Sequence, residues 1–131
     1  MELHTYLQLA LKDDYADFMM FLTNLLQKNA RPIVIYGTQA TGKTTIYKIY
    51  KNIINRYNIP VKHMDEFPYS TRNLLLVTAD LELFHALSKH FKGLTLHYVS
   101  NLGAISITDQ SVDNLLQHLG YVHTNHKEVI I

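Results

Sequence analysis

Ten residues in the first half of the chain leave few folds open to it. Residues 36–45 read YGTQATGKTT, and Gly37, Gly42, Lys43 and Thr44 satisfy G-x-x-x-x-G-K-[ST], the spacing of a phosphate-cradling loop. The chemistry needs those residue types. Glycines let backbone N–H groups curl around an anion, a lysine reaches the β- and γ-phosphates, and a hydroxyl joins the shell of Mg²⁺. The flanks agree with the motif. Residues 31–36, RPIVIY, form a β-branched run suited to a buried strand, and Ile46, Ile49, Tyr50, Ile53 and Tyr57 recur behind the loop at helical spacing. Strand, glycine loop and helix in that order aim the positive end of the helix at the same anion. Gly37, Thr38, Gln39, Ala40, Thr41, Gly42, Lys43, Thr44 and Thr45 are therefore expected to surround the phosphates of ATP, with Thr44 on Mg²⁺.

The rest of the pattern places that unit in an α/β domain. Leu3, Tyr6, Leu7 and Leu11 predict a helix over 3–11, and Phe18, Phe21, Leu22, Leu25 and Leu26 another over 15–27. Residues 59–64 (IPVKHM), 73–80 (NLLLVTAD), 94–101 (LTLHYVSN) and 104–109 (AISITD) read as strands. A helix over 81–91 carries Leu83, Leu87 and Phe91 on one face, and Val112, Leu115, Leu116 and Leu119 predict a last helix stopping at Gly120. Alternating strands and helices imply a three-layer fold around a mostly parallel sheet. The segment 104–109 follows 94–101 too closely for a crossover helix, so one of the two is expected to pair antiparallel. The expected organisation is an N-terminal helical segment, 1–28, followed by a nucleotide-binding domain, 29–131.

Composition narrows the function classes. The 131 residues are 47% hydrophobic and 18% charged with a net charge of +1, which suits a globular protein and offers no general attraction to nucleic acid or membrane. There is no cysteine, which excludes disulfides and thiolate metal sites. The opening MELHTYLQLALKDD does not read as a secretory signal, and no run reaches the roughly 18 apolar residues of a spanning helix. An intracellular protein without a membrane partner, cytoplasmic or nuclear, is the expectation.

Hydrolysis needs an acid at a strand end beside the loop. Asp80 ends the apolar segment LLLVTAD, with Glu82 beyond it, while Asp65 and Glu66 offer two adjacent carboxylates after VKHM. Strand burial favours Asp80 and adjacency favours Asp65–Glu66. Because LLLVTAD is the most apolar run, it is expected to lie centrally beside PIVIY and to carry Asp80 toward Lys43 and Thr44 on the metal side, leaving Glu66 in reserve for activating water. Asn101 ends another apolar segment, where it could sense the γ-phosphate or simply make a turn before Leu102-Gly103. His118, His123 and His126 lack the spacing of a metal site, and surface or core histidines are the expected reading. Arg31, Arg56 and Arg72 are the only arginines, too few for the usual phosphate clamp of a small-molecule kinase.

The block 14–50, DYADFMMFLTNLLQKNARPIVIYGTQATGKTTIYKIY, resembles the ATPase domain of superfamily 3 helicases of small DNA viruses such as papillomaviruses and parvoviruses. Phe18, Phe21, Leu22, Lys28, Arg31, Tyr36 and Thr41-Gly42-Lys43-Thr44 carry the likeness. Further on, DEFPYSTRNLLLVTAD is similar to the stretch entering that family's second acidic motif, and LHYVSN to the strand ending in its sensor asparagine, here Asn101. The resemblance implies a Mg²⁺-dependent ATPase that assembles into a homo-oligomeric ring and acts on single-stranded or duplex nucleic acid during viral replication in a host cell. Two features of the sequence keep another class open. The acidic motif offers only Asp80 after Ala79, and no arginine follows Asn101 to act on a neighbouring site. A nucleotide-binding interaction module with little or no hydrolysis is the alternative, and a small-molecule kinase a weaker one.

Overall fold

The computed structural model describes residues 1–62, 70–100, 103 and 105–119. Its centre is a strand too apolar to face water on either side. β1 (Ile33–Tyr36) lies between β2 (Leu75–Thr78) and β3 (Lys92–Thr95), and both neighbours run parallel to it. Parallel neighbours demand crossovers. The chain supplies α3 (Lys43–Arg56) between β1 and β2, and α4 (Leu81–Leu87) between β2 and β3. The two crossovers step in opposite directions across the sheet, so a common right hand puts α3 and α4 on opposite faces.

Side chains follow the same division. Ile33 and Ile35 join one large core with Leu75, Leu94 and the α3 residues Ile46, Ile49 and Ile53. On the other face, the Tyr36 and Phe84 rings lie 5.5 Å apart, and Phe84 presses on the sheet at Gly93. A Cβ there would stand 2.9 Å from Phe84 Cζ and 2.6 Å from Ser88 Oγ, so only glycine admits α4 at that distance. The chain is thus a mixed α/β fold with a small three-stranded parallel sheet.

The N-terminal helices deepen the α3 face. α1 (Leu3–Leu11) and α2 (Tyr15–Leu26), joined by a 3-10 turn at Lys12–Asp14, contribute Leu3, Tyr6, Leu7, Phe18, Leu22 and Leu25 to the same core as the sheet. Each such side chain stabilises the fold by about 1.5–3 kcal/mol when fully buried. Two hydrogen bonds tie this pair to the exit of β3. Thr95 N–H donates to Asp14 Oδ2 at 2.9 Å, and His97 N–H to the Ala10 carbonyl at 2.7 Å. α5 (Asp109–Leu116), followed by a 3-10 turn at Gln117–Leu119, closes the core with Val112, Leu115 and Leu116, and Asp113 takes a 2.9 Å ion pair from Arg56 on α3.

Several sequence expectations are corrected. Residues 59–62 form no strand, only a single antiparallel bridge between Lys62 and Arg72, and 63–64 lie outside the described residues. β2 is next to β1 as expected but is not central. β1 has that place, because it alone has a neighbour on each side. β3 begins at Lys92 and ends at Thr95, two residues early at one end and short at the other. Residues 105–108 are irregular and pair with no described strand, with Thr108 and Ser111 forming a reciprocal cap that starts α5, and 104 lies outside the described residues. α4 ends at Leu87 without burying a residue, and Leu81 and Leu83 are exposed. Tyr57, expected on the apolar face of α3, is also exposed.

At the lower end of the sheet one polar side chain holds three segments. Asn73, 2% exposed, sits in a left-handed conformation at φ 62°. Its Oδ1 accepts from Ala30 N–H at 2.8 Å, and its Nδ2 donates to the Lys28 and Pro60 carbonyls. The Tyr50 hydroxyl donates to the Asn73 carbonyl, and burial pushes that phenol up to about 12, so it remains a donor. Removing the amide would strand the buried Ala30 N–H and release the Lys28 and Pro60 carbonyls, so Asn73→Ala should lower stability by about 2–4 kcal/mol. Urea unfolding checks this, and a loss under about 0.5 kcal/mol, the range of an ordinary surface change, would refute it.

Candidate functional site

The carboxyl ends of the three parallel strands meet at the loop that follows β1. Register sets the meeting. Tyr36 is opposite Thr78 on one side and Thr95 on the other, and the chain leaves β1 with Gly37 N–H donating to the Thr78 carbonyl at 3.0 Å. Ligands of open parallel sheets collect at such an edge.

Two residues of the loop are left-handed, Ala40 at φ 65° and Gly42 at φ 93°. For Ala40 that conformation costs about 1–2 kcal/mol relative to a right-handed one. Strain of this kind persists where surrounding contacts enforce it, and a turn that alternates hand points successive N–H groups into one concavity. Here the contacts come from the loop itself and from α1. Thr41, buried, donates through its hydroxyl to the Thr38 carbonyl at 2.7 Å. Lys43 Nζ donates to the carbonyls of Gly37 and Thr38 at 2.8 and 2.7 Å, which folds its ammonium into the loop. The Tyr6 hydroxyl approaches the Thr41 carbonyl at 3.4 Å from beneath, and burial raises its pKa, keeping it protonated.

α3 starts at Lys43 with Gly42 as its N-cap. Gly42 has no side chain with which to cap it and no acid stands in its first turn, so among the described residues the positive end of a 14-residue helix remains available to an anion. Thr38, Gln39, Ala40 and Thr44 are exposed, and Lys43 and Thr45 half-buried, which leaves the loop open to solvent. Of the nine residues expected at the phosphates, Gly37–Gly42 form the loop and Lys43, Thr44 and Thr45 the first turn of α3.

Asp80 lies two residues past β2, on the same edge. Its backbone N–H donates to Thr78 Oγ1 at 3.0 Å, and its Oδ1 caps α4 by accepting from Leu83 N–H at 3.1 Å. The cap occupies one carboxylate oxygen and leaves the other toward solvent. Asp65, Glu66 and Asn101 lie outside the described residues, as do His123 and His126. Two participants escaped the sequence reading. Thr78 anchors the loop's first N–H through its carbonyl, which no side-chain motif announces. Tyr6 forms the floor of the loop, yet at its position it reads only as one more residue on an apolar helix face.

The floor is tight. A Cβ on Gly42 would overlap the Tyr6 hydroxyl oxygen and stand 3.1 Å from Cζ, in addition to the penalty of a positive φ. Gly42→Ala should therefore destabilise the fold by about 2 kcal/mol or more. In a Tyr6→Phe background, with the clashing oxygen gone, the same change should cost less, giving a coupling of about 1 kcal/mol between the two sites. Equilibrium unfolding of the four proteins measures it, and strict additivity would show that α1 does not support the loop.

No family model matches this chain, and neither the curated proteins nor the solved structures contain a match to it.

Proposed function

We propose that the chain binds ATP with Mg²⁺ at Gly37–Thr45 and hydrolyses it, within a P-loop NTPase domain of the viral superfamily 3 helicase type. The observation that carries this reading is the uncapped N-terminus of α3, entered through a left-handed Gly42, with the Lys43 ammonium folded into the same loop. On binding, Lys43 would exchange two carbonyl acceptors for phosphate oxygens, a charge-assisted and therefore stronger pairing. The first-turn N–H groups of α3 would donate to the same phosphates. Thr44 and the uncapped oxygen of Asp80, directly or through water, are the groups that would hold magnesium, which when bound offsets the charge of the phosphates. Glu66 is held in reserve for activating water, and Asn101 is a candidate for sensing the γ-phosphate; both lie outside the described residues.

Action on nucleic acid and assembly into a homo-oligomer belong to the same proposal and rest on the likeness of residues 14–50. A second reading, a nucleotide-binding module with slow hydrolysis, draws on a different observation. Arg56, one of three arginines, is held by Asp109 and Asp113 against α5, so as a phosphate-stabilising finger it would have to abandon that contact. Among the described residues no helix is long and apolar enough to cross a membrane.

Nucleotide at a hundredfold its dissociation constant should stabilise the chain by about 2.7 kcal/mol, and Lys43→Ala should abolish the gain. Thermal melts with and without MgATP test this, and an unmoved wild-type transition would sink the nucleotide reading.

Asp80→Asn separates turnover from folding, because asparagine caps a helix as well as aspartate does. Phosphate release, measured with and without single-stranded DNA, should fall at least about tenfold while the melting temperature holds. Unchanged turnover would remove Asp80 from the mechanism, and binding without turnover in the wild type would favour the slow module.

A further inference from the structure

A second constellation of ligand atoms lies between the two ends of the fold. His4 is in the first turn of α1, and His118 in the 3-10 turn Gln117–Leu119, yet their rings stack with centroids 3.6 Å apart and planes 24° from parallel. Glu2, the N-cap residue of α1, makes no side-chain capping bond with its own helix. Its Oε2 turns instead to His4 Nδ1, at 3.2 Å. One ligand atom from each of Glu2, His4 and His118 falls within 4.8 Å of the others.

We propose that Glu2, His4 and His118 form a site for a single zinc ion or a similar late first-row divalent cation. The donor set selects the ion. Two imidazoles and one carboxylate suit zinc, nickel or cobalt, whereas magnesium and calcium take oxygen ligands, so this site is chemically distinct from a magnesium–phosphate site. A tetrahedral ion with bonds of about 2.0–2.1 Å holds its ligand atoms about 3.3–3.4 Å apart; Glu2 Oε2 and His4 Nδ1 are already at that spacing, and the separations to His118 need close by about 1.5 Å at most. Side-chain torsions can supply that movement. Glu2 is 67% exposed and free to swing, and the two rings must rotate out of their stack, because an imidazole lone pair lies in the ring plane and the planes are now only 24° from parallel. The backbone beneath stays in place, because Leu3, Tyr6 and Leu7 hold α1 in the core. A water would complete the fourth position. The ion would staple α1 to the end of α5, closing a loop of more than a hundred residues, and it needs no nucleotide.

Calorimetric titration of the full chain with ZnCl₂, alongside thermal melts in zinc and in a chelator, tests the site. A one-to-one isotherm and a zinc-dependent rise in melting temperature are expected. His118→Gln, at an exposed position, should weaken zinc binding at least about tenfold and remove the rise, while leaving the melt in chelator unchanged. Glu2→Gln should weaken binding in the same direction, and a His123→Gln/His126→Gln double variant should bind as wild type does. Absence of zinc binding by the wild type overturns the proposal. So does a His118→Gln variant with the wild-type isotherm, or loss of binding only in the 123/126 variant.

Discussion

Everything in this fold hangs on β1 being buried on both faces. A four-residue strand with Ile33, Val34 and Ile35 inaccessible to solvent needs a neighbour on each edge and a helix on each face. Parallel neighbours then require crossovers, and crossovers of one hand distribute α3 and α4 to opposite sides. The same arrangement brings three strand ends to one edge, where the chain leaves β1 through Gly37. The loop is placed by the demand that hydrophobic side chains leave water, before any ligand is considered.

The loop's shape has a separate origin. Ala40, left-handed in the loop, would relax in an isolated peptide, whereas Gly42 takes a positive φ without that cost. They are held because Thr41 and Lys43 bond back to the carbonyls of Gly37 and Thr38, and because Tyr6 fills the space beneath Gly42. Tyr6 belongs to α1, which is tied to β3 through Ala10 and His97. The N-terminal helices therefore shape the loop as well as cover the sheet, and Asn73 does comparable work at the opposite end by pinning the turns before β1 and after α3.

Legibility in the sequence followed the range of the forces involved. α1, α2, α3 and α5 were readable because each repeats apolar residues at helical spacing over two or more turns. Residues 59–62 and 105–108 were misread because β-branched content reports that a strand could form, and says nothing of whether an edge is available. Residues 105–108 lost to the Thr108–Ser111 cap, a local hydrogen-bond exchange that starts a helix. LLLVTAD was rightly set beside β1, but its apolar run overstated its centrality. Leu76 and Val77 are only half-buried, and Leu81 and Leu83 beyond them are exposed. The grouping of His4 with His118 was invisible, since 113 intervening residues carry no periodic signal of it.

The sequence by itself determined the loop. The spacing of Gly37, Gly42, Lys43 and Thr44, the β-branched run before them and the helical face behind them are local patterns, and they fix the loop's place between strand and helix. Tertiary structure alone decided which strands flank β1, which side chain forms the floor of the loop and which groups meet across the ends of the fold. Those outcomes depend on register, crossover hand and close packing, which arise between segments far apart in the chain. A strand's neighbours are selected by which pairing buries the most apolar surface at once, and that comparison is made only when the whole chain is compact.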